Sequence, residues 1–85
     1  MEHEARPAFL FQCGEKNLFA VTRDATGGIL PSDRCLPGWV LRRRFLLGPR
    51  NPPPFSMDPG SILQGIHSRG YYIWRGRIRW RDSIG

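Results

Sequence analysis

From Tyr71 to Arg81 bulky and cationic side chains alternate with a period of two: Tyr72, Trp74, Ile78 and Trp80 fall in one phase, and Arg75, Arg77, Arg79 and Arg81 in the other. A β-strand sends successive side chains to opposite faces, so the pattern predicts a strand with one face for a core and one for water or anions. Nearer the N-terminus, Phe9–Cys13 and Leu18–Thr22 are β-rich runs separated by Gly14-Glu15-Lys16-Asn17, which reads as an antiparallel hairpin. Cys13 alternates with Phe9 and Phe11, in the manner of a core residue. Residues 24–38 hold three glycines and two prolines, a long loop with room for one helical turn near Pro31 to Arg34.

Trp39 to Leu47 fits two templates. As a strand it places Trp39, Leu41, Phe45 and Leu47 on one face and Val40, Arg42, Arg44 and Leu46 on the other, with Arg43 out of pattern. As a helix it stacks Leu41 and Phe45 at i and i+4, with Gly48-Pro49 as a stop. The strand is preferred, because no Ser, Thr, Asp or Asn caps the start. Pro49 to Pro54 reads as an extended, polyproline-like connector. The helix signal that follows is sharper: Asp58 as N-cap, Pro59 at the first position, Ile62, Leu63 and Ile66 as an apolar stripe, and Gly70 after the last turn. A helix of about eleven residues with Gly65 inside it is not stable alone and must pack on the sheet. The prediction is therefore an α+β fold, one helix packed on a small, largely antiparallel sheet in the order β-β-β-α-β. A single domain is expected over 8–81, between an N-terminal tail at 1–7 and a C-terminal tail at 82–85.

Composition narrows what this fold can do. Eighty-five residues allow one domain with a compact core, which five Phe, three Trp and two Tyr can fill. The net charge of +6 is unevenly placed: residues 1–38 are about neutral, whereas residues 39–85 carry nine arginines against Asp58 and Asp82. Such asymmetry favours phosphate or another acidic surface, although arginine on a solvated strand face needs no partner. The N-terminus lacks the basic and apolar regions of a secretory signal, and no apolar run approaches the roughly 20 residues that span a bilayer. A cytoplasmic protein without membrane contact is expected. Cys13 and Cys35 can pair or stay free, with reduced thiols as the default for that compartment.

Phe19-Ala20-Val21-Thr22, Asp24, Thr26-Gly27, Leu30-Pro31, Cys35, Pro37-Gly38-Trp39, Phe45, Leu47-Gly48 and Gly70 to Trp74 together resemble a set of small bacterial proteins of unknown function. The resemblance spans about two thirds of the chain. It implies a shared fold and carries no activity, and Ile78 to Gly85 lie outside it.

Tests for catalytic chemistry return little. His3, Cys13, Cys35 and His67 lack the paired spacing of a zinc site, and no cofactor is expected. Cys35 with His67 as base would make a nucleophilic pair, but a helix C-terminus favours the imidazolium, the wrong bias for a base. No phosphate-cradling Gly-rich loop with its lysine is present. Arg69-Gly70-Tyr71 matches the opening of an RNA-binding signature, which then fails at Tyr72.

The expectation is a non-enzymatic interaction or accessory module. The competing class is a sequence-tolerant nucleic-acid binder using Arg42, Arg44, Arg75, Arg77 and Arg79 for phosphates and Tyr71 for base stacking, provided the two strands lie near each other. A Cys35-based enzyme is the third. An exposed edge strand, either the C-terminal one or the one holding Phe9, would also offer a homodimer contact.

Overall fold

The computed structural model describes residues 5–80. Its elements follow the expected β-β-β-α-β order: β1 (Arg6–Cys13), β2 (Leu18–Thr22), β3 (Trp39–Leu47), α1 (Pro59–Arg69) and β4 (Tyr71–Arg75), with a 3₁₀ turn at Ser32–Arg34. β1 starts at Arg6, inside the stretch expected to be tail. Residues 1–4, Arg81 and the 82–85 tail lie outside the described residues.

The strands form one sheet in the order β3-β1-β2-β4, and every neighbouring pair is antiparallel. β1 is therefore internal, and the edges are β3 and β4. Phe9 thus belongs to a strand that offers no edge to a second copy.

The sheet buries both faces. On the helix face, Ala8, Leu10, Phe19, Val21, Phe45, Leu47, Phe55 and Ile62 form the main core. Its centre is Phe55, fully buried, stacked on Trp74 at 5.8 Å and edge-on to Phe45 and Trp80 at 5.6 and 5.9 Å. On the loop face, residues of the long 24–38 connection cover the sheet: Leu30 packs with Phe11 and Ala20, and Trp39 donates its indole N–H to the Pro31 carbonyl at 3.1 Å. Gly27 has φ +71°, and a Cβ there would stand 2.8 Å from the Phe11 ring, so only glycine lets the loop lie this close.

Cys13 and Cys35 are joined by a disulfide, with Cα atoms 5.6 Å apart, and both are buried beside Leu18. This corrects the expectation of reduced thiols. The hairpin delivers Cys13 to the end of β1 and the 3₁₀ turn delivers Cys35 to the same corner, a proximity set by tertiary structure.

The helix ends are built as their residues dictate. Asp58 accepts from the Ser61 amide and hydroxyl, and Gly70 adopts a left-handed conformation while donating to the Ile66 carbonyl. Thr22 then fixes this end to the sheet by donating its hydroxyl to the Gly70 carbonyl at 2.9 Å. Gly65 is buried against β4, where a Cβ would lie 2.8 Å from the Tyr72 ring. The glycine that weakens the helix is what lets it settle on the strand.

Two expectations fail in the connections. Pro49 and Arg50 form a tight turn, closed by reciprocal backbone bonds between Gly48 and Asn51 at 3.1 Å, so Pro49 to Pro54 is not one extended connector. The C-terminal strand ends at Arg75 instead of continuing to Arg81. Gly76, at φ +151°, donates to the Asn17 carbonyl, and the chain leaves the sheet. It crosses the helix face instead, where Ile78 packs on the core and Trp80 forms a bridge with Phe55.

Candidate functional site

β3 is the longer edge, nine residues against five in β4, and only its inner side is paired. Its register with β1 runs Leu47 to Arg6, Leu46 to Pro7, Phe45 to Ala8, Arg44 to Phe9 and Arg43 to Leu10, then shifts so that Leu41 faces Phe11. Arg42 is the extra residue of a bulge. The bulge divides the strand's alternation: Phe45, Leu47 and Arg43 share the helix face, whereas Trp39, Leu41, Arg44 and Leu46 share the loop face. The expected grouping of Trp39, Leu41, Phe45 and Leu47 on one face is therefore corrected, and the out-of-pattern Arg43 was its only trace in the sequence.

The outer side of β3 can be read from its backbone. Pro7 has no N–H and cannot complete a reciprocal pair with Leu46 opposite it, and Gly48, of the same phase as Leu46, exchanges its backbone bonds with Asn51. Leu46 turns its carbonyl outward, where the Asn51 side chain donates to it at 3.0 Å. Two residues before it, the amide and carbonyl of Arg44 face outward by the same alternation. Along this edge Val40, Leu41 and Leu46 are exposed at 39, 48 and 50%, with three consecutive exposed arginines between Leu41 and Leu46.

Those arginines differ in freedom. Arg42 donates to Gln12 Oε1 and to the Gly14 carbonyl, both at 2.9 Å, so it is partly committed to holding the bulge. Arg43 lies 5.1 Å from the centroid of the Trp80 ring. Arg44 has no hydrogen-bond or ion-pair partner among the described residues.

The remaining expected residues do not join them. Arg75 is on β4, the opposite edge, separated from β3 by β1 and β2; at about 4.8 Å per strand that is roughly 14 Å. Arg77 and Arg79 are not on a strand, and the Arg79 carbonyl accepts from the Ser56 amide at 2.7 Å. Tyr71 packs on the loop-face core and shares a small cleft of about 150 Å³ with Arg34, Arg69 and Ile73. Arg34 and Arg69 come from the 3₁₀ turn and from α1, so no local pattern in the sequence groups them with Tyr71.

Nor does the geometry assemble a Cys35–His67 pair. Cys35 is bonded to Cys13 on the loop face, whereas α1, with His67, packs on the helix face. His67 lines a cleft of about 480 Å³ with Arg6, Arg23, Leu63 and Ile66. Arg23 there is structural: it donates to the carbonyls of Arg6, Pro7 and Leu47, and burial lowers its pKa. Among the described residues no three His, Cys, Asp or Glu side chains gather as a metal site, and no helix is long and apolar enough to cross a membrane. His3 lies outside the described residues.

No family model, curated protein or solved structure matches the chain.

Proposed function

We propose that this protein is a small non-enzymatic interaction module that engages a protein partner through the outer edge of β3. The observation that carries the reading is the nine-residue edge itself: it has outward backbone groups at Arg44 and exposed Val40, Leu41 and Leu46 beside them. Unpaired strand edges accept another chain by main-chain hydrogen bonding. Residue-resolved amide exchange tests the premise. In the free protein the Arg44 amide should exchange fast and the Phe45 amide slowly; equal protection of the two would mean the edge is already covered, and the reading fails.

The nucleic-acid reading is kept for one observation, the half-exposed Trp80 beneath Arg43, an aromatic and a cation of the kind that hold unpaired bases and phosphates. Arg42 and Arg44 on one edge, Tyr71 and Arg75 on the other, and Arg77 and Arg79 off the sheet weigh against a single arginine face. Tryptophan fluorescence titrated with a mixed-sequence single strand and a duplex decides: affinity should fall linearly with salt on logarithmic axes if phosphate contacts dominate.

A cytoplasmic location belongs to the same proposal, and the disulfide sets its condition. Such bonds persist chiefly in oxidising compartments, so in the cytoplasm the buried sulfurs have to be shielded from thiolate attack. Alkylating intact cells before lysis shows whether Cys13 and Cys35 are paired there.

A further inference from the structure

We infer that the β3 edge takes an acidic, extended polypeptide segment as a fifth strand, its carboxylates set against Arg43 on one face and Arg44 on the other. The inference rests on the edge-docking reading above and names the chemistry of the partner. Four features of β3 support it.

The edge has a defined usable length. At one end the Leu46 carbonyl is occupied by Asn51, so a new strand pairs with the stretch from Val40 to Arg44. β4 is a poorer acceptor, with five residues and its exit bonded to Asn17 through Gly76.

Two adjacent arginines set cations on both faces of the edge. Arg43 lies on the helix face and Arg44 on the loop face, so an incoming strand meets one above and the other below, and the extra residue brings Leu41 onto the same face as Arg44. Two adjacent acids in that strand point to opposite faces and reach both. On the loop face, exposed Leu41 and Leu46 flank Arg44 and suit an apolar side chain on either side of the acid pair. The matching segment reads apolar, polar, acid, acid, apolar.

Charge excludes the simplest rival. Two β3 strands pairing antiparallel about their centres would place Arg42, Arg43 and Arg44 against the same residues of the second copy, and like charges directly opposite are destabilising. The described part of the chain holds four acids, Glu15, Asp24, Asp33 and Asp58, none of them on β3.

A nucleic acid would satisfy the guanidinium groups, but it has no use for an outward amide and carbonyl on Arg44 or for the leucines that flank it on the loop face. A polypeptide strand uses all of them.

The test is a titration of isotope-labelled protein with the blocked peptide Val-Thr-Glu-Glu-Val-Thr at low and near-physiological salt, followed by backbone amide shifts and by exchange of the Arg44 amide. Saturation should shift the Leu41 to Leu46 amides and slow Arg44 exchange at least tenfold. The Gln-Gln counterpart of the peptide, and Arg44→Glu protein against the acidic peptide, should each bind about tenfold more weakly. Arg44→Gln serves if Arg44→Glu loses its dispersed spectrum.

Absence of shifts on β3, while the free Arg44 amide exchanges fast, overturns this inference and leaves an open edge. Equal binding of both peptides overturns the acidic preference. An oligonucleotide that shifts Arg42 to Arg44 without protecting the Arg44 amide, where the peptide does neither, overturns it in favour of nucleic acid. Concentration-dependent protection of Arg44 in protein alone overturns it in favour of a second copy.

Discussion

The guanidinium of Arg43 sits 5.1 Å from the centre of the Trp80 ring, joining the bulged edge strand to a residue that leaves the sheet at Gly76 and crosses the helix face. At a half-exposed site this cation–π contact is worth about 0.5–1 kcal/mol. A double-mutant cycle with Arg43→Gln and Trp80→Leu should return a coupling of that size in denaturant unfolding, and zero coupling would show that the contact is not populated in solution.

Removing the disulfide should be felt globally. It closes a loop with a sequence separation of 22, for which chain-entropy arguments give about 3 kcal/mol. The Cys13→Ala/Cys35→Ala protein should be less stable by about that free energy, with its denaturant midpoint lowered accordingly, and reductant should reproduce the loss in the unaltered chain. An unchanged midpoint under both treatments would refute it.

Gly65→Ala inverts the usual rule for helices. In an exposed helix the change stabilises by about 1 kcal/mol, but here the added carbon meets the Tyr72 ring at 2.8 Å and the Tyr71 carbonyl at 3.1 Å. Overpacking of about 1–3 kcal/mol should outweigh the gain. Thermal unfolding should show a lower midpoint, and a raised one would mean the helix stands off the strand.

Asp24 organises the start of the long loop. Its carboxylate accepts from the Thr26 hydroxyl and amide at 2.8 and 3.0 Å and from the Ile29 amide at 3.1 Å. These bonds, the Thr26 hydroxyl first, hold its pKa below the ordinary aspartate value. Because the folded value is the lower one, the stabilisation is present above the ordinary range and is lost as pH falls through the lowered value. Carbon-detected titration of the Asp24 carboxyl should place its midpoint below about 3.9, with the Ile29 amide shifting in step. A midpoint at or above that value would show the loop to be held otherwise.

The element order was legible because each signal was local. Asp58-Pro59 and Gly70 bracket α1 by their own chemistry, and the two apolar runs flanking Gly14 to Asn17 specify a hairpin whatever surrounds them. Two departures share one cause: alternation shows neither where a strand ends nor where its phase slips. Ile78 does belong with Tyr72 and Trp74 in one core, and Trp80 touches its edge at Phe55, yet both get there by crossing the sheet face, because Gly76 turns the chain. In β3 the period was broken once, at the arginines, and a bulge cannot be told from noise without the partner strand. The disulfide and the split of the arginines between opposite edges depend on strand order, which no local pattern encodes. The charge of Arg44 is plain in the sequence, whereas its outward backbone depends on the register that sets Pro7 across from Leu46 and Phe9 across from Arg44.

The extra residue at Arg42 also makes β3 a shared member of two interiors. Before it, Trp39 contributes to the loop-face core; after it, Phe45 and Leu47 contribute to the helix-face core. A short domain with thin layers on each side of a sheet risks having them melt separately. One strand whose two halves are anchored in different layers couples them mechanically, so neither can open without pulling on the other. Native-state exchange should then find the amides beneath Leu30 and those beneath Ile62 released in a single cooperative event.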